Sequence, residues 1–284
     1  MSAEQTEERD DMQGSEDARG RTLRILQITD THICAEGERL AGVDTPATCD
    51  AVLDRVRGEA ANADLLLMTG DLVHDHGGDL GPLYRHIRER LTGLGLPGLV
   101  VPGNHDHARV LREHFSDGPI RFRDGLAFGD WLFAMLDSSV PGAVGGHLDD
   151  GDLERLDALL GEHPERHALV CLHHHPVPVG SDWIDTIGVD NGEALFRVLR
   201  RHPNVRGVVF GHIHQEVDRE ADGLRLLASP STCIQFLPRS PEFSLDPKPP
   251  GYRWLELEPD GTIRTRVERL EHVPEGLETE LAGY

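Results

Sequence analysis

The sequence predicts an α/β layered domain, and two observations carry this prediction. From Leu23 onward, short apolar runs that favour strands alternate with helix-like stretches, which is the pattern of sheets covered by helices. The chain of 284 residues is long enough to bury a full core, and single α/β domains reach this length. We therefore expect a single domain over residues 22–284.

Five apolar runs are predicted to be buried strands, because each is rich in Leu, Val or Ile and is followed by a glycine, a proline or a polar residue. They are residues 23–29, 64–69, 98–101, 167–172 and 205–210. The helix-like stretches between them are residues 46–62, 80–91, 152–162 and 192–201. Further strands are expected at residues 131–137, 224–228, 252–257 and 262–267.

Two helix starts carry local signals. Thr45 followed by Pro46 fits a cap and a first helical position, and Asp190 or Asn191 before Gly192 fits another cap. Both signals agree with the helices expected from the hydrophobic pattern.

Three segments lie outside the regular alternation. Residues 1–21 are mainly Glu, Asp, Gln, Ser and Gly, so we expect a disordered acidic tail there. Residues 235–250 are rich in Pro and Ser and are expected to form an irregular covering segment. The sequence Pro259-Asp260-Gly261 predicts a turn between the last two strands.

The charge of the chain argues against a nucleic-acid partner. Its 50 acidic and 28 basic residues give a formal net charge of −22, and Lys248 is its only lysine. A nucleic-acid backbone is repelled by such a field, and it requires clustered Lys and Arg for affinity. The acidity therefore favours a solvated surface.

The cysteines and the hydropathy pattern predict a soluble protein of the cytoplasm. Cys34, Cys49, Cys171 and Cys233 form no Cys-x-x-Cys pair, and reduced thiols are the simplest interpretation. No apolar run approaches the roughly 18 to 20 residues that cross a bilayer, and the N-terminus lacks the layout of a signal peptide. We expect no membrane partner, and the sequence leaves open whether the protein is a monomer or a homodimer.

Polar residues that favour metals follow each of the five main strands. The pieces are Asp30-Thr31-His32, Gly70-Asp71, Gly103-Asn104-His105-Asp106, His173-His174-His175-Pro176 and Gly211-His212-Ile213-His214. If the strands lie side by side, separate loops bring these donors to one sheet edge. This arrangement is typical of a two-metal hydrolase.

The donor types agree with that chemistry. Two cations about 3.5 to 4 Å apart hold a water that becomes hydroxide near neutral pH, and Asp71 is the candidate bridging carboxylate because Gly70 lets the backbone approach closely. Asp30 and His32 alternate along a segment expected to be extended, so both point the same way and Thr31 points out. A mixed N/O donor set suits Fe, Mn or Zn better than a soft metal.

In order, spacing and identity these pieces resemble the signature of the calcineurin-like metallophosphoesterases over most of the chain. Within that superfamily, residues 28–32, the triple histidine, residues 211–216 and residues 229–233 are most similar to the bacterial class III 3',5'-cyclic AMP phosphodiesterases. The resemblance implies a four-layer α/β/β/α sandwich.

The resemblance also implies residue roles. It implies that the ligands of the first metal ion are Asp30, His32, Asp71 and His214. It implies that the ligands of the second are Asn104, His173, His212 and the shared Asp71. It implies that the substrate is contacted by His32, Asp71, Asn104, His105, His173 and His214. It further implies that His105 protonates the leaving sugar oxygen or stabilises the transition state, and Asp106 is expected to hold the ring of His105 in the correct tautomer.

Several side chains near these pieces have competing interpretations. His173 is preferred over His174 as the ligand of the triple histidine, and His174 and His175 either orient ligands or are hydrogen-bonded loop residues. We assign no role to the loop histidines His74, His76 and His107. Cys34 is expected to be a small buried side chain and not a thiolate ligand. Trp183 and Phe236 either pack in the fold or stack on a purine.

The predicted function is a dinuclear metal-dependent phosphodiesterase that hydrolyses 3',5'-cyclic AMP to 5'-AMP, through attack of a metal-bridging hydroxide on phosphorus. One alternative is a relative with the same metal core that acts on glycerophosphodiesters or other phosphoesters. A second alternative is a non-catalytic scaffold, and a nuclease is disfavoured by the lack of a basic track.

Overall fold

The computed structural model describes residues 18–75 and 77–280. Its first sheet has six strands in the order β14, β13, β1, β2, β3 and β4. In chain order their bounds are β1 Leu23–Ile28, β2 Leu65–Thr69, β3 Gly98–Val101, β4 Ile120–Arg121, β13 Gly251–Leu257 and β14 Ile263–Arg269. Strands β1 to β4 run parallel, and β13 and β14 are antiparallel to their neighbours.

The second sheet has six strands in the order β5, β6, β7, β8, β10 and β9. Their bounds are β5 Gly125–Phe128, β6 Trp131–Met135, β7 His167–Cys171, β8 Val205–Phe210, β9 Val217–Ala221 and β10 Leu224–Ala228. Strands β6, β7, β8 and β10 run parallel, with antiparallel β5 and β9 at the edges. The covering segment contributes a two-stranded sheet of β11 Gln235–Phe236 and β12 Leu245–Asp246.

Helices cover the outer faces of both sheets. They are α1 Thr45–Glu59, α2 Gly81–Thr92, α3 Ala108–His114, α4 Asp150–Glu162, α5 Asp182–Asp185 and α6 Gly192–Leu199, and a 3-10 turn Ala60–Asn62 follows α1. No helix within residues 18–75 and 77–280 is long and apolar enough to cross a membrane.

Three apolar clusters define four layers. One packs Leu26 and Ile28 of β1 against α1 and α2, and another packs the second sheet against α4 and α6. The third lies between the sheets and includes Leu23 and Ile25 of β1 together with Phe133 of β6. Alternate residues of β1 therefore face different layers, as strand geometry requires. The predicted α/β/β/α sandwich is confirmed.

One predicted helix cap lies at a different residue in the structure, and the other lies at a predicted residue but makes no capping hydrogen bond. Helix α1 is capped one residue earlier, by Asp44, whose Oδ1 accepts from the backbone N of Ala47 at 3.1 Å. Thr45 instead binds the loop of a predicted ligand: its Oγ1 donates to the carbonyl O of His32 at 2.6 Å. Asn191 lies at the cap position of α6, but its side-chain amide donates to the carbonyl of Leu148 at 2.7 Å.

Residues 18–21 of the predicted tail are among the described residues. Residues 1–17 lie outside the described residues. Ala18 is buried in the cluster between the sheets, and the backbone N of Gly20 donates to Oδ2 of Asp130 at 2.7 Å. Ala18 and Gly20 therefore contact the folded domain from the N-terminal side of the predicted boundary at residue 22.

Candidate metal centre

The predicted ligands lie on loops at one edge of the two central sheets. Asp30 and His32 follow β1, Asp71 follows β2, and His212 and His214 follow β8. A buried side chain joins the sheets just below: Nε2 of Gln27 donates to Oγ1 of Thr69 at 2.9 Å and to the carbonyl of Phe210 at 3.0 Å. Strands β1 and β2 run parallel, so their carboxyl ends lie at one edge, and the contact of Gln27 with Phe210 brings the end of β8 to the same edge.

One half of the site contains Asp30, His32 and His214, all buried, with donor atoms within 4.8 Å of one another. Nε2 of His32 lies 3.1 Å from Nε2 of His214, which lies 3.4 Å from Oδ1 of Asp30. Nδ1 of His214 donates to the carbonyl of Ile234 at 2.9 Å, so Nε2 carries the lone pair and could coordinate a metal ion.

The other half is built around His173. Its Nδ1 donates to the carbonyl of Thr69 at 2.8 Å, which leaves Nε2 facing Oδ1 of Asn104 and Oδ2 of Asp71, both at 3.2 Å. Three acceptor atoms that face one another require a positive charge among them, either a proton on His173 or a cation.

His174 has a different role from that of His173. Its Nε2 donates to the carbonyl of Val144 at 3.1 Å, and its Nδ1 lies 2.9 Å from the hydroxyl of Ser138. Both ring nitrogens are therefore engaged within the fold. These contacts favour His173 as the ligand of the triple histidine, and they favour the structural interpretation of His174.

Asp71 faces both halves. Its Oδ2 lies 3.5 Å from Nε2 of His32 and 3.2 Å from Nε2 of His173, while its Oδ1 accepts from the backbone N of His105 at 2.9 Å. This is the position that a bridging carboxylate requires.

His212 supplies an independent test of whether a metal ion fits. Its Nε2 is buried and, among the described residues, has no hydrogen-bond partner. It lies in a compact group with His173 and His174. A buried polar atom without a partner is costly, and a cation would satisfy it. The residues present therefore fit a metal site.

The electrostatics agree with the donor geometry. Burial holds the pKa of His32 and of His212 well below the ordinary value, so both are neutral, which is the form that coordinates. Burial opposes the charge of Asp71, but positive charge on His173 and His105 holds its pKa well below the usual range. Burial lowers the pKa of His173, yet the charge of Asp71 outweighs it and raises the value to about 9. The charged carboxylate of Asp71, surrounded by histidine rings, would therefore attract a metal cation.

The ligand loops have an unusual backbone. Asp30, His32, Asp71, His212 and His214 all have positive φ, between 42° and 68°. The prediction of an extended segment at residues 30–32 is wrong, because two of its three residues are left-handed. Thr31 does not point out: it is buried, and its Oγ1 donates to the carbonyl of Leu72 at 2.6 Å. Such conformations cost energy and cluster at functional sites.

Two glycines allow the loops to approach each other. A Cβ at Gly103 would lie 2.1 Å from Oδ1 of Asp71, and a Cβ at Gly70, whose φ is 94°, would lie 2.3 Å from Nδ1 of His173. Asp71 and His173 can therefore lie this close to the neighbouring loops only because Gly70 and Gly103 have no side chain.

Gly103→Ala should displace Asp71 and weaken metal binding about 10- to 100-fold, as changes beside metal ligands typically do. Metal affinity measured by chelator competition checks this result. Gly58→Ala is the matched control, because Gly58 lies in α1 with no neighbour within 4 Å. Equal metal affinity of the two variants would contradict the expectation.

Asp106 positions a loop. Its carboxylate accepts from the backbone N of Gly103 at 2.9 Å, of Leu72 at 3.1 Å and of Val73 at 3.3 Å, and from the hydroxyl of Tyr84 at 3.0 Å. These contacts correct the tautomer role expected for Asp106, because its oxygens bind other donors. Burial and the charge of Asp71 raise its pKa to about 7.

Tyr84 was missed by sequence reasoning. It is buried on α2, and its hydroxyl also accepts from the backbone N of His107 at 2.9 Å, so it holds the third ligand loop at two adjacent residues. A single tyrosine on the apolar face of a helix gives no functional signal in a sequence. The contacts of Gln27 with Thr69 and of Thr45 with the carbonyl of His32 were also missed, because they join residues that are distant in sequence.

His105 lies beside the metal ligands in a group of rings. Its ring is edge-on to His32, with centroids 4.9 Å apart, and stacked on His74, with centroids 4.7 Å apart and planes at 24°. Burial lowers the pKa of His105. The contacts with His32 and His74 hold the ring of His105 close to the predicted metal site.

The remaining candidates pack around the site. His175 stacks on His212, and its Nε2 lies 3.6 Å from Oδ1 of Asp185. Phe236 stacks on His214 with centroids 4.1 Å apart, and Trp183 meets Phe236 edge-on. These contacts favour packing over purine stacking for both aromatic residues. Cys34 is buried, as expected.

Comparisons with known proteins agree with this site. The family model described as Calcineurin-like phosphoesterase matches residues 23–216. The 3',5'-cyclic adenosine monophosphate phosphodiesterase CpdA of Pseudomonas aeruginosa is 42% identical over 264 residues, which cover 93% of this chain and 96% of the relative. CpdA of Escherichia coli K12 is 41% identical, with coverages of 92% and 95%.

A solved structure supports the fold alone. The crystal structure of a dimetal phosphatase from Danio rerio is similar with a TM-score of 0.59 and 16% identity, covering 88% of this chain and 99% of that chain. The resemblance inferred from the motifs is thus confirmed by sequence and by fold. The chain belongs to the calcineurin-like phosphoesterase family.

Proposed function

We propose that this protein is a metal-dependent phosphodiesterase that hydrolyses 3',5'-cyclic AMP to 5'-AMP. The observation that carries the proposal is its identity of about 40% to curated cyclic AMP phosphodiesterases along nearly the full length of both chains. The convergence of seven predicted ligands at one sheet edge supports it, because phosphodiester cleavage uses this donor set.

Two metal ions would be held by the two halves of the site. Asp30, His32 and His214 would hold one, Asn104, His173 and His212 the other, and Asp71 would bridge them. When bound, such ions neutralise phosphate charge and make hydroxide available near neutral pH. The oxygen and imidazole donors suit iron or manganese, with zinc also compatible.

The protein's own residues complete the reaction. The oxygen of a water adds to phosphorus and releases one proton to solvent, while the bond between phosphorus and the 3'-oxygen breaks. A sugar alkoxide is a poor leaving group, so His105 donates a proton to the departing 3'-oxygen. The proton that His105 gives to the 3'-oxygen is regained from solvent, so the protons balance over one turnover. Asn104, held next to His173, steadies a phosphoryl oxygen. Asp71 holds the backbone N of His105, so its carboxylate also positions the acid.

A cavity lies on the side of His174 that is opposite the predicted ligand His173. It has a volume of about 940 Å³ and is lined by Arg112, Asp137 and Gly146, among others. Gly146 lies against the ring of His174, because a Cβ there would be 2.5 Å from its Cγ. One ring therefore separates the cavity from the ligand His173. Small-molecule sites have volumes of about 300 to 1,000 Å³.

A substrate panel tests the proposal. Protein loaded with manganese should turn over cyclic AMP with a higher kcat/KM than cyclic GMP, bis(p-nitrophenyl) phosphate or glycerophosphocholine. If cyclic AMP is hydrolysed no better than the generic diester, the cyclic AMP assignment is wrong. The alternative is then a phosphodiesterase of the same family with another substrate. Fewer than two metal ions per chain without turnover would indicate a scaffold.

We also propose a cytoplasmic location. All four cysteines are buried and unpaired, which is typical of proteins from a reducing compartment. Whether the protein acts as a monomer or a homodimer is measured directly by sedimentation.

A further inference from the structure

We propose that His74 is a positioning residue for this reaction, which fixes the tautomer of His32 by a hydrogen bond and the ring of His105 by stacking. The proposal rests on the proposed function, because it concerns how the metal ligand and the acid are held. His74 was assigned no role from the sequence.

His74 is held firmly by its backbone. It follows β2 three residues after Asp71, and its backbone N donates to the carbonyl of Ile33 at 3.1 Å. Ile33 and Val73 form a parallel bridge immediately before it. The loops that carry His32 and His74 are therefore tied together, and the distance between their rings is set by main-chain bonds.

The surroundings of His32 indicate which ring donates the hydrogen bond between His74 and His32. Nε2 of His32 faces Nε2 of His214 and Oδ2 of Asp71, so this nitrogen must carry the lone pair that would bind metal. The ring proton of neutral His32 is then on Nδ1, which lies 3.2 Å from Nδ1 of His74. Nδ1 of His74 accepts this proton, and the proton of His74 is on its Nε2.

The other ligand histidines show why this contact matters. His173 and His214 each donate their second nitrogen to a main-chain carbonyl, those of Thr69 and Ile234. A carbonyl can only accept, so their tautomers are fixed by the backbone. The tautomer of His32 is fixed by the side chain of His74 instead, and a substitution of His74 can remove this hydrogen bond.

The second contact concerns the acid. The rings of His74 and His105 are stacked, with centroids 4.7 Å apart and planes at 24°. His32 meets the ring of His105 edge-on from another direction. Rotation of the His105 ring is restricted by both neighbours, so its orientation beside the predicted metal ligands is fixed.

The same three histidines could be considered a further metal site, because their donor atoms lie within 4.8 Å of one another. Nitrogen chemistry argues against this. A neutral imidazole has one lone pair, and that of His32 faces Asp71 and His214, so Nδ1 offers a proton and no lone pair. A positioning role for His74 agrees with a proton on Nδ1 of His32, because Nδ1 of His74 can accept it.

Three substitutions separate the two contacts. His74→Asn keeps an acceptor near the position of Nδ1 but removes the stacked ring. His74→Phe keeps the ring but removes the acceptor, and His74→Ala removes both. His107→Ala is the matched control, because His107 is an exposed histidine of the neighbouring loop.

The measurements are metal affinity by chelator competition and kcat with metal at saturation, on bis(p-nitrophenyl) phosphate and on cyclic AMP. We expect His74→Phe to lose metal affinity about 10- to 100-fold and His74→Asn to retain it. We expect His74→Asn to lose kcat on cyclic AMP with KM unchanged. His74→Ala should show both losses, and His107→Ala neither.

Three results would overturn the proposal. The first is that all three His74 variants have the metal affinity and kcat of the wild-type protein. Another is an equal loss in Asn, Phe and Ala variants together with a lower Tm, which indicates a structural role. The third is the loss of one whole metal ion per chain in both His74→Phe and His74→Asn, which indicates a metal ligand. Since metal affinity is measured without substrate, a wrong substrate assignment leaves this test intact.

Discussion

Asp71→Asn should abolish metal binding and turnover while leaving the chain folded. Asparagine keeps the shape of the side chain and one oxygen that accepts from the backbone N of His105, but it lacks the charge that faces both halves of the site. Removal of one partner of a buried ion pair is destabilising, and Asp71 pairs with His173, so we expect a lower Tm without metal in a chain that still folds. We expect kcat/KM to fall at least about a thousand-fold, about 4 kcal/mol of transition-state stabilisation.

Metal content by elemental analysis and the circular dichroism spectrum check this expectation. Asp75→Asn is the matched control, because Asp75 is an exposed carboxylate four residues further on. It should retain both metal ions and full activity. An Asp71→Asn protein that retains two metal ions would show that Asp71 is not the bridging ligand.

His105→Ala should lower kcat about 10²- to 10⁴-fold on cyclic AMP, the range for loss of a general acid. Its backbone N, which donates to Asp71, is retained, so metal content should remain unchanged. The loss should be smaller on bis(p-nitrophenyl) phosphate, because a nitrophenolate departs without a proton. Comparison of kcat for the two substrates checks the role of His105.

The exposed His107 provides the control here too, since His107→Ala alters the same loop without touching the rings at the site. Equal losses of His105→Ala on both substrates would argue against proton donation and would favour stabilisation of the phosphoryl charge. A loss of metal would instead place His105 among the ligands.

Much of the fold was accessible from sequence because hydrophobic period and turn chemistry are local. Strands β1, β3 and β8 lie within one residue of their predicted bounds. The edge strand β9 was not predicted: its residues 217–221 are mostly polar, and its place in the sheet comes from main-chain pairing with β10. The short β4 and helix α5 carry too few residues to show a period.

The candidate ligands were accessible because their types and order are read directly from the chain, whereas their geometry was not. The left-handed backbone at Asp30 and His32 could not be inferred, since nothing in those residue types requires it. The contacts of Asp106 and Tyr84 also depend on loops that are distant in sequence. Spacing predicts which side chains meet, and tertiary packing determines which atoms of them face each other.

The left-handed backbone at five ligand residues has a consequence for the life of the protein in a cell. Each such residue is held at a cost of about 1 kcal/mol or more, and an ion bound only by the folded chain would offset this cost in proportion to its free concentration. Depletion of the metal ion should then reduce the abundance of the protein as well as its metal occupancy, because chains without the ion open more often and are degraded sooner. Under the proposed function, metal supply and the lifetime of the cyclic nucleotide would be coupled through proteolysis.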